Sequence, residues 1–260
     1  MSSLLEVEAL TLRFGGITAL DQVSFQIAPG RIAALIGPNG AGKTSLFNCI
    51  TGFYRPTSGI IRLHEQSGPR ELQSMAQTEI AARARLARSF QNIRLFGAMT
   101  CLENLLVAQY RHHDPGALPS LLGLPRARAT EAATIRRGKE LLERFDLLPF
   151  ADVAARTLPY GAQRRLEIAR ALATEPILLC LDEPAAGLNE HESVELSERL
   201  AGLRDEGLTV LLIEHDMGLV MRIADQVIVL DVGRKIADGP PGRVKADPRV
   251  IAAYLGDAAA

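Results

Sequence analysis

The octapeptide GPNGAGKT, Gly37–Thr44, follows the apolar run IAALI and precedes SLFNCI, a stretch of helical composition. Strand, glycine loop and helix in this order match the spacing G-x-x-x-x-G-K-T, whose parts each have a physical task. Glycines at 37, 40 and 42 let backbone amides turn inward around phosphate oxygens, and the following helix aims its positive end at the same place. Lys43 supplies charge to the β- and γ-phosphates of a triphosphate, and the Thr44 hydroxyl is placed to ligate Mg²⁺. Pro38, Asn39, Ala41 and Ser45 belong to the same cofactor-binding wall.

Outward from this loop the chain has two textures. LLEVEALTLRF and VSFQI alternate in part, and GIIRLH follows the turn signal RPTSG. From about Glu71 to Glu143 the composition is mostly helical, interrupted by HHDPGALPS and LLGLP. From Ile177 the apolar runs ILLCL, LTVLLI and QVIVL return with helical stretches between them, which predicts a parallel sheet covered on both faces. The last residues, GDAAA, read as a frayed tail.

The overall composition narrows the function classes. With 260 residues, 47% of them hydrophobic, the chain buries a substantial core. Its 29 basic and 30 acidic residues leave a net charge of −1, so no global positive field recommends nucleic acid. The local cluster Arg83, Arg85 and Arg88 reads as solvated helix faces. Cys49, Cys101 and Cys180 lie in unrelated segments without metal-ligand spacing, Cys180 inside a core run, which suits a reducing cytoplasm. The N-terminus lacks a basic start and apolar block, and no run approaches the roughly 20 residues that span a bilayer.

Two further stretches carry chemistry. In ILLCLDEP a buried strand ends in two carboxylates: Asp182 is placed to hold Mg²⁺ through water, and Glu183 to accept a proton from an attacking water. In LPYGAQRRLEIARAL, Gly161 opens a helix with Leu166, Ala169 and Leu172 or Ala173 on one face and Arg164, Arg165 and Glu167 away from it. Free amides and the dipole at such a helix start bind an anion.

Phe14, GPNGAGKT, Gln91 in SFQNIRLF, LPYGAQRR, ILLCLDEP, GLNEHE and His215 in LLIEHD resemble, in order and over nearly the whole chain, the motif series of an ATP-binding-cassette ATPase. The resemblance implies an α/β P-loop NTPase fold with a RecA-like core and mostly parallel sheet, an N-terminal antiparallel β subdomain and an inserted α-helical subdomain. It places the nucleotide core and β subdomain at about 1–70 plus 175–240, the helical subdomain at about 71–174 and a C-terminal extension at 241–260. By position it implies that Phe14 stacks on adenine, Gln91 senses Mg²⁺ and water, and His215 contacts the γ-phosphate beside Glu183. Leu158, Pro159, Tyr160, Gly161, Ala162 and Gln163 stand at the family's signature LSGGQ, which faces the ATP held by a second cassette.

SFQNIRLFGAMTCLENLLVA, the segment from Glu214 to Pro241 and the terminal DPRVIAAYLG are similar to the ATP-binding subunit of bacterial branched-chain amino-acid importers. That family implies ATP and Mg²⁺ as cofactors and a peripheral place on the cytoplasmic face of the inner membrane. Its partners would be membrane-spanning permeases, a second homologous ATPase (as a heterodimer, or a homodimer in isolation) and, indirectly, a periplasmic binding protein, with no nucleic acid. Residues 92–104 are candidates for the permease groove. The chain departs from the family pattern: Pro159 and Tyr160 replace the Ser and first Gly of the signature, Ala162 its Gln, and Asn189 a frequent Asp. An exporter of lipopolysaccharide type, a urea or amide importer and a soluble nucleic-acid-associated cassette share the hydrolytic motifs. In that family the transported molecule does not touch the ATP-binding subunit, so the resemblance implies that no residue here encodes it.

Overall fold

A computed structural model describes residues 3–65, 68–109 and 125–256. In chain order it contains β1 (Leu5–Phe14), β2 (Ile17–Ile27), β3 (Ile32–Ile36), α1 (Lys43–Ile50), β4 (Ser58–Glu65), β5 (Gly68–Glu71), α2 (Gln77–Arg83), β6 (Leu86–Arg88), α3 (Cys101–Gln109) and α4 (Pro125–Arg144). These are followed by α5 (Tyr160–Leu172), β7 (Leu178–Asp182), α6 (Glu190–Asp205), β8 (Thr209–Ile213), α7 (Met217–Ile223), β9 (Gln226–Asp231), β10 (Arg234–Gly239), α8 (Pro241–Lys245) and α9 (Pro248–Gly256). HHDPGALPS and the tail beyond Gly256 lie outside the described residues.

The alternating N-terminal segments pair antiparallel in the sheet order β2-β1-β4-β5, with Leu5, Val7, Leu10 and Leu12 of β1 buried. The continuous apolar runs form the second sheet, ordered β10-β9-β3-β8-β7-β6. Every residue of β3, β7 and β8 is buried, as expected for strands covered on both faces, and all pairings in this sheet are parallel except β10 with β9. Leu5, Phe25, Phe47, Leu46, Leu178, Cys180 and Leu211 belong to one apolar core.

The chain divides into two compact units, residues 1–88, 177–186 and 193–260 in one and 89–176 with 187–192 in the other. The first holds both sheets; the second holds α3, α4 and α5. The expected helical texture after Glu71 needs correcting at one place, because Leu86–Arg88 is a short strand that pairs parallel with β7. Its terminal Arg88 is no solvated helix residue: its side chain is 11% exposed and bonded to Asp182, whereas Arg83 on α2 is 69% exposed beside Glu79. Three residues are too few to display a strand period, and the partner of Arg88 lies 94 positions away.

Candidate functional site

Three neighbouring parallel strands aim their carboxyl ends at one place in the first unit. Leu35 of β3 is level with Ile213 of β8, which is level with Asp182 of β7. Gly37, His215 and Glu183 follow within two residues of that row, the position where open parallel sheets bind ligands.

The loop after β3 is shaped by its glycines. Gly37, Gly40 and Gly42 have φ of 147°, 79° and 98°. A Cβ on Gly37 would run into the Leu230 carbonyl oxygen, and one on Gly42 would lie 2.7 Å from Ala19 O, whereas the space beside Gly40 is open. The turn closes on itself through Ala41 N to Pro38 O at 3.2 Å, and Gly233 N donates to Ala41 O at 3.1 Å. No side chain caps α1, so its first amides face the loop without an internal acceptor. Lys43 folds its ammonium back onto the loop, donating to Gly37 O at 2.8 Å and Pro38 O at 2.9 Å. Burial lowers the Lys43 pKa from its usual range, and the charge of Glu183 opposes that shift. Thr44, Asn39 and Gly40 are exposed, while Pro38, Ser45 and Gly42 are half-buried and Ala41 is buried.

At the end of β7, Asp182 is buried and accepts from Arg88 Nη2 at 3.0 Å. Arg88 also donates to Asn48 Oδ1 at 2.6 Å and Thr51 Oγ1 at 2.8 Å, and its guanidinium lies 4.7 Å from both the Phe47 and Phe53 ring centres. Glu183 sits at φ 48°, a left-handed conformation that side chains rarely adopt, with its amide on Ile213 O at 3.0 Å. Its Oε1 is 3.7 Å from His215 Nδ1, just beyond direct hydrogen bonding. Behind this pair the buried Glu214 accepts from Ala185 N at 2.9 Å, His215 N at 3.1 Å and Asp216 N at 3.3 Å. Burial raises its pKa and the three amides pull it back. Phe14 stands 46% exposed at the end of β1, edge-on to Tyr54 with ring centres 5.2 Å apart.

The second unit holds the other candidates. α5 begins at Tyr160 after Pro159, which offers no capping side chain, and Gln163 turns back to donate to Leu158 O at 2.8 Å. Gly161 and Ala162 are buried, and a Cβ on Gly161 would run into the carboxylate of Glu192. Asn189 and Glu192 exchange bonds at 3.0 and 2.9 Å, a reciprocal cap at the start of α6. The expectation that Arg164 and Glu167 point away from the packed face is wrong. Their side chains are 0% and 1% exposed and paired at 2.9 Å, because backbone carbonyls some 74 positions upstream supply buried acceptors that helical periodicity does not reveal. Arg165, by contrast, is half-buried, and Gln91 is exposed with its carbonyl bonded to Arg164. Arg88, Glu214 and the Arg164–Glu167 pair are the site neighbours that motif reading passes over. For Glu214 a usable signal exists, a carboxylate directly after the apolar run VLLI.

The sequence profile described as "ABC transporter" matches residues 20–186. The chain belongs to the ABC transporter family. A second profile, "Branched-chain amino acid ATP-binding cassette transporter", matches residues 234–260 of this cassette. It is 49% identical over 256 residues to the high-affinity branched-chain amino acid transport ATP-binding protein BraF of Pseudomonas aeruginosa, covering 98% of each chain. It is 48% identical to LivG of Escherichia coli K12, a protein of the same description, again over 98% of each. Among solved structures, the ADP conformation of an ATP-binding cassette of an ABC transporter matches with TM-score 0.82 and 30% identity over 98% of this chain and 100% of that one. The fold is that of an ABC ATPase, and the cassette is an ATP-binding, ATP-hydrolysing transporter subunit.

Proposed function

We propose that this cassette hydrolyses ATP to drive import of branched-chain amino acids. It would work with a second, homologous cassette under paired membrane permeases fed by a periplasmic binding protein. The close match along the whole length to BraF and LivG supports the substrate class. By likeness to those transport ATP-binding proteins the cassette would sit peripherally on the cytoplasmic face of the membrane. No helix among the described residues is long and apolar enough to cross one. The observation that carries the catalytic reading is the convergence of Lys43, Asp182, Glu183 and His215 at the carboxyl ends of β3, β7 and β8.

In this reading Lys43 exchanges Gly37 O and Pro38 O for phosphate oxygens, and the amides of the loop and of α1 hold the rest of the triphosphate. Phe14 stacks on the adenine. The donor set of the first unit suits Mg²⁺, since Thr44 and Asp182 offer hard oxygens, and the family resemblance adds Gln91 as a sensor of the ion and of the nucleotide on this chain. When bound, Mg²⁺ neutralises charge on the phosphates. Glu183 takes the proton from the attacking water, and His215, 3.7 Å away and largely exposed, positions that water against the γ-phosphate. Glu214 holds the backbone of His215 and of Ala185 at fixed separation.

Residues 158–163 face the γ-phosphate on the second cassette in the same scheme. With Pro159 in place of a hydroxyl side chain, that contact loses a hydrogen bond worth roughly 0.5–1.5 kcal/mol, so the two sites of a heterodimer are unequal. Glu183→Gln should lower ATP hydrolysis by roughly 10²- to 10⁴-fold while ATP still binds. It should also lower transport ATPase activity more than the equivalent change in the partner; equal losses remove the asymmetry. Labelled leucine uptake in a strain lacking this chain tests the substrate, and undiminished uptake without compensating transporters rejects it.

A further inference from the structure

Arg164 is fully buried in the first turn of α5, with its guanidinium fixed from several directions. Nη1 donates to Phe90 O at 2.8 Å and to Glu167 Oε2 at 2.9 Å; Nη2 donates to Gln91 O at 2.9 Å and to the Tyr160 hydroxyl at 3.2 Å. Glu167 closes the arrangement by accepting the Arg94 amide at 3.1 Å on its other oxygen. Among the described residues Arg164 Nε alone of these donors lacks a partner. A charge taken this far from water is a poor way to fill space, since an apolar side chain of similar volume stabilises at least as well. What only arginine supplies is a planar fork that grips two consecutive peptide carbonyls and, from the same plane, a residue adjoining Gly161.

We infer that Arg164, held in plane by Glu167, is a positioning residue that makes the backbone at Gln91 and the helix start at Gly161 move as one piece. The inference rests on the proposed function, in which Gln91 senses the nucleotide on this chain and Gly161 faces the nucleotide on the second cassette. Any displacement of the Gln91 peptide then reaches the signature through one rigid side chain, and the two ATP sites are coupled. Lysine cannot reproduce this, because a single ammonium does not span both carbonyls and the carboxylate.

The test is steady-state ATP hydrolysis by the assembled transporter, full-length cassette with its partner cassette and permeases, as a function of ATP concentration. The wild type should show positive cooperativity. Arg164→Lys should bring the Hill coefficient to about 1 and lower kcat at least about fivefold, the low end of coupling between sites. ATP affinity of the full-length cassette, measured by binding alone, should stay within about twofold, a smaller change than such coupling produces. Glu167→Gln should give a weaker form of the same split. Cooperativity retained in Arg164→Lys overturns the inference, as does a wild-type Hill coefficient of 1. Rate losses that merely track the folded fraction across both variants overturn it too. Absence of hydrolysis by the wild-type transporter instead rejects the functional reading itself, which keeps the two failures apart.

Discussion

The loop before α1 and the start of α5 both present glycines where an anion is expected, and they do so for opposite reasons. At Gly37 the backbone itself demands glycine: φ is 147° and a Cβ would strike the Leu230 carbonyl, which belongs to a strand and cannot yield. Gly161 has no such conformation, and what a Cβ would strike is the far end of the Glu192 side chain. The phosphate loop therefore has its shape before any ligand arrives. The signature end is lined instead by the Glu192 carboxylate of the same chain, held by the Asn189 amide, so its surroundings change only if that side chain rotates.

The largest difference should come from alanine at the two positions. Gly37→Ala combines a left-handed φ with a backbone collision, and strain of that kind alone destabilises by about 1–3 kcal/mol. The unfolding free energy from urea titration should fall by at least that much, and nucleotide binding should be lost. Gly161→Ala must rotate Glu192 aside and give up its bond from the Asn189 amide, a cap worth about 1 kcal/mol, while alanine gains about 0.5–1 kcal/mol over glycine in a helix, so stability should change by less than about 1 kcal/mol. Equal destabilisation by the two substitutions would break the comparison.

This contrast also separates what is legible in sequence from what is not. β3, β7 and β8 could be read because burial on both faces makes them near-continuous apolar runs, and the phosphate loop because its glycines, lysine and threonine sit at fixed spacing. Arg88, Arg164 and Glu167 could not, since a charged side chain is expected in water unless its partner is known. The partners are far away in the chain: Asp182 is 94 positions from Arg88, and the Phe90 carbonyl is 74 from Arg164. Asn189 is intermediate. Its departure from the family aspartate is visible in sequence, but its work as the cap of α6, exchanging bonds with Glu192, needed the fold.

A smaller effect isolates Glu192. Glu192→Ala removes one half of the reciprocal cap at α6, a loss of about 1 kcal/mol typical of helix caps. It also clears the space beside Gly161. In a double-mutant cycle Gly161→Ala should be better tolerated in the Glu192→Ala background than in the wild type, the two residues being in contact. Additive changes in urea midpoint would mean that the carboxylate does not constrain residue 161.

The smallest effect concerns a third helix start, where the chain supplies its own anion permanently. Asp247 precedes α9, accepts the Arg249 amide on Oδ1 at 2.9 Å and pairs with the Arg249 guanidinium at 2.8 Å. Those bonds, the side-chain one first, hold its pKa down from 3.8 to about 2. A carboxyl whose pKa is lower in the folded protein adds stability that is complete above the unfolded value and disappears as pH falls through the folded one. The urea-midpoint advantage of wild type over Asp247→Asn should thus be constant from neutral pH down to about 5, shrink below about 4, and vanish only below about 2. The pair is solvent-exposed, so the advantage should be small and should weaken further in high salt. An advantage that persists undiminished at pH 2 would show that the asparagine disturbs α9 in some way other than by removing this charge.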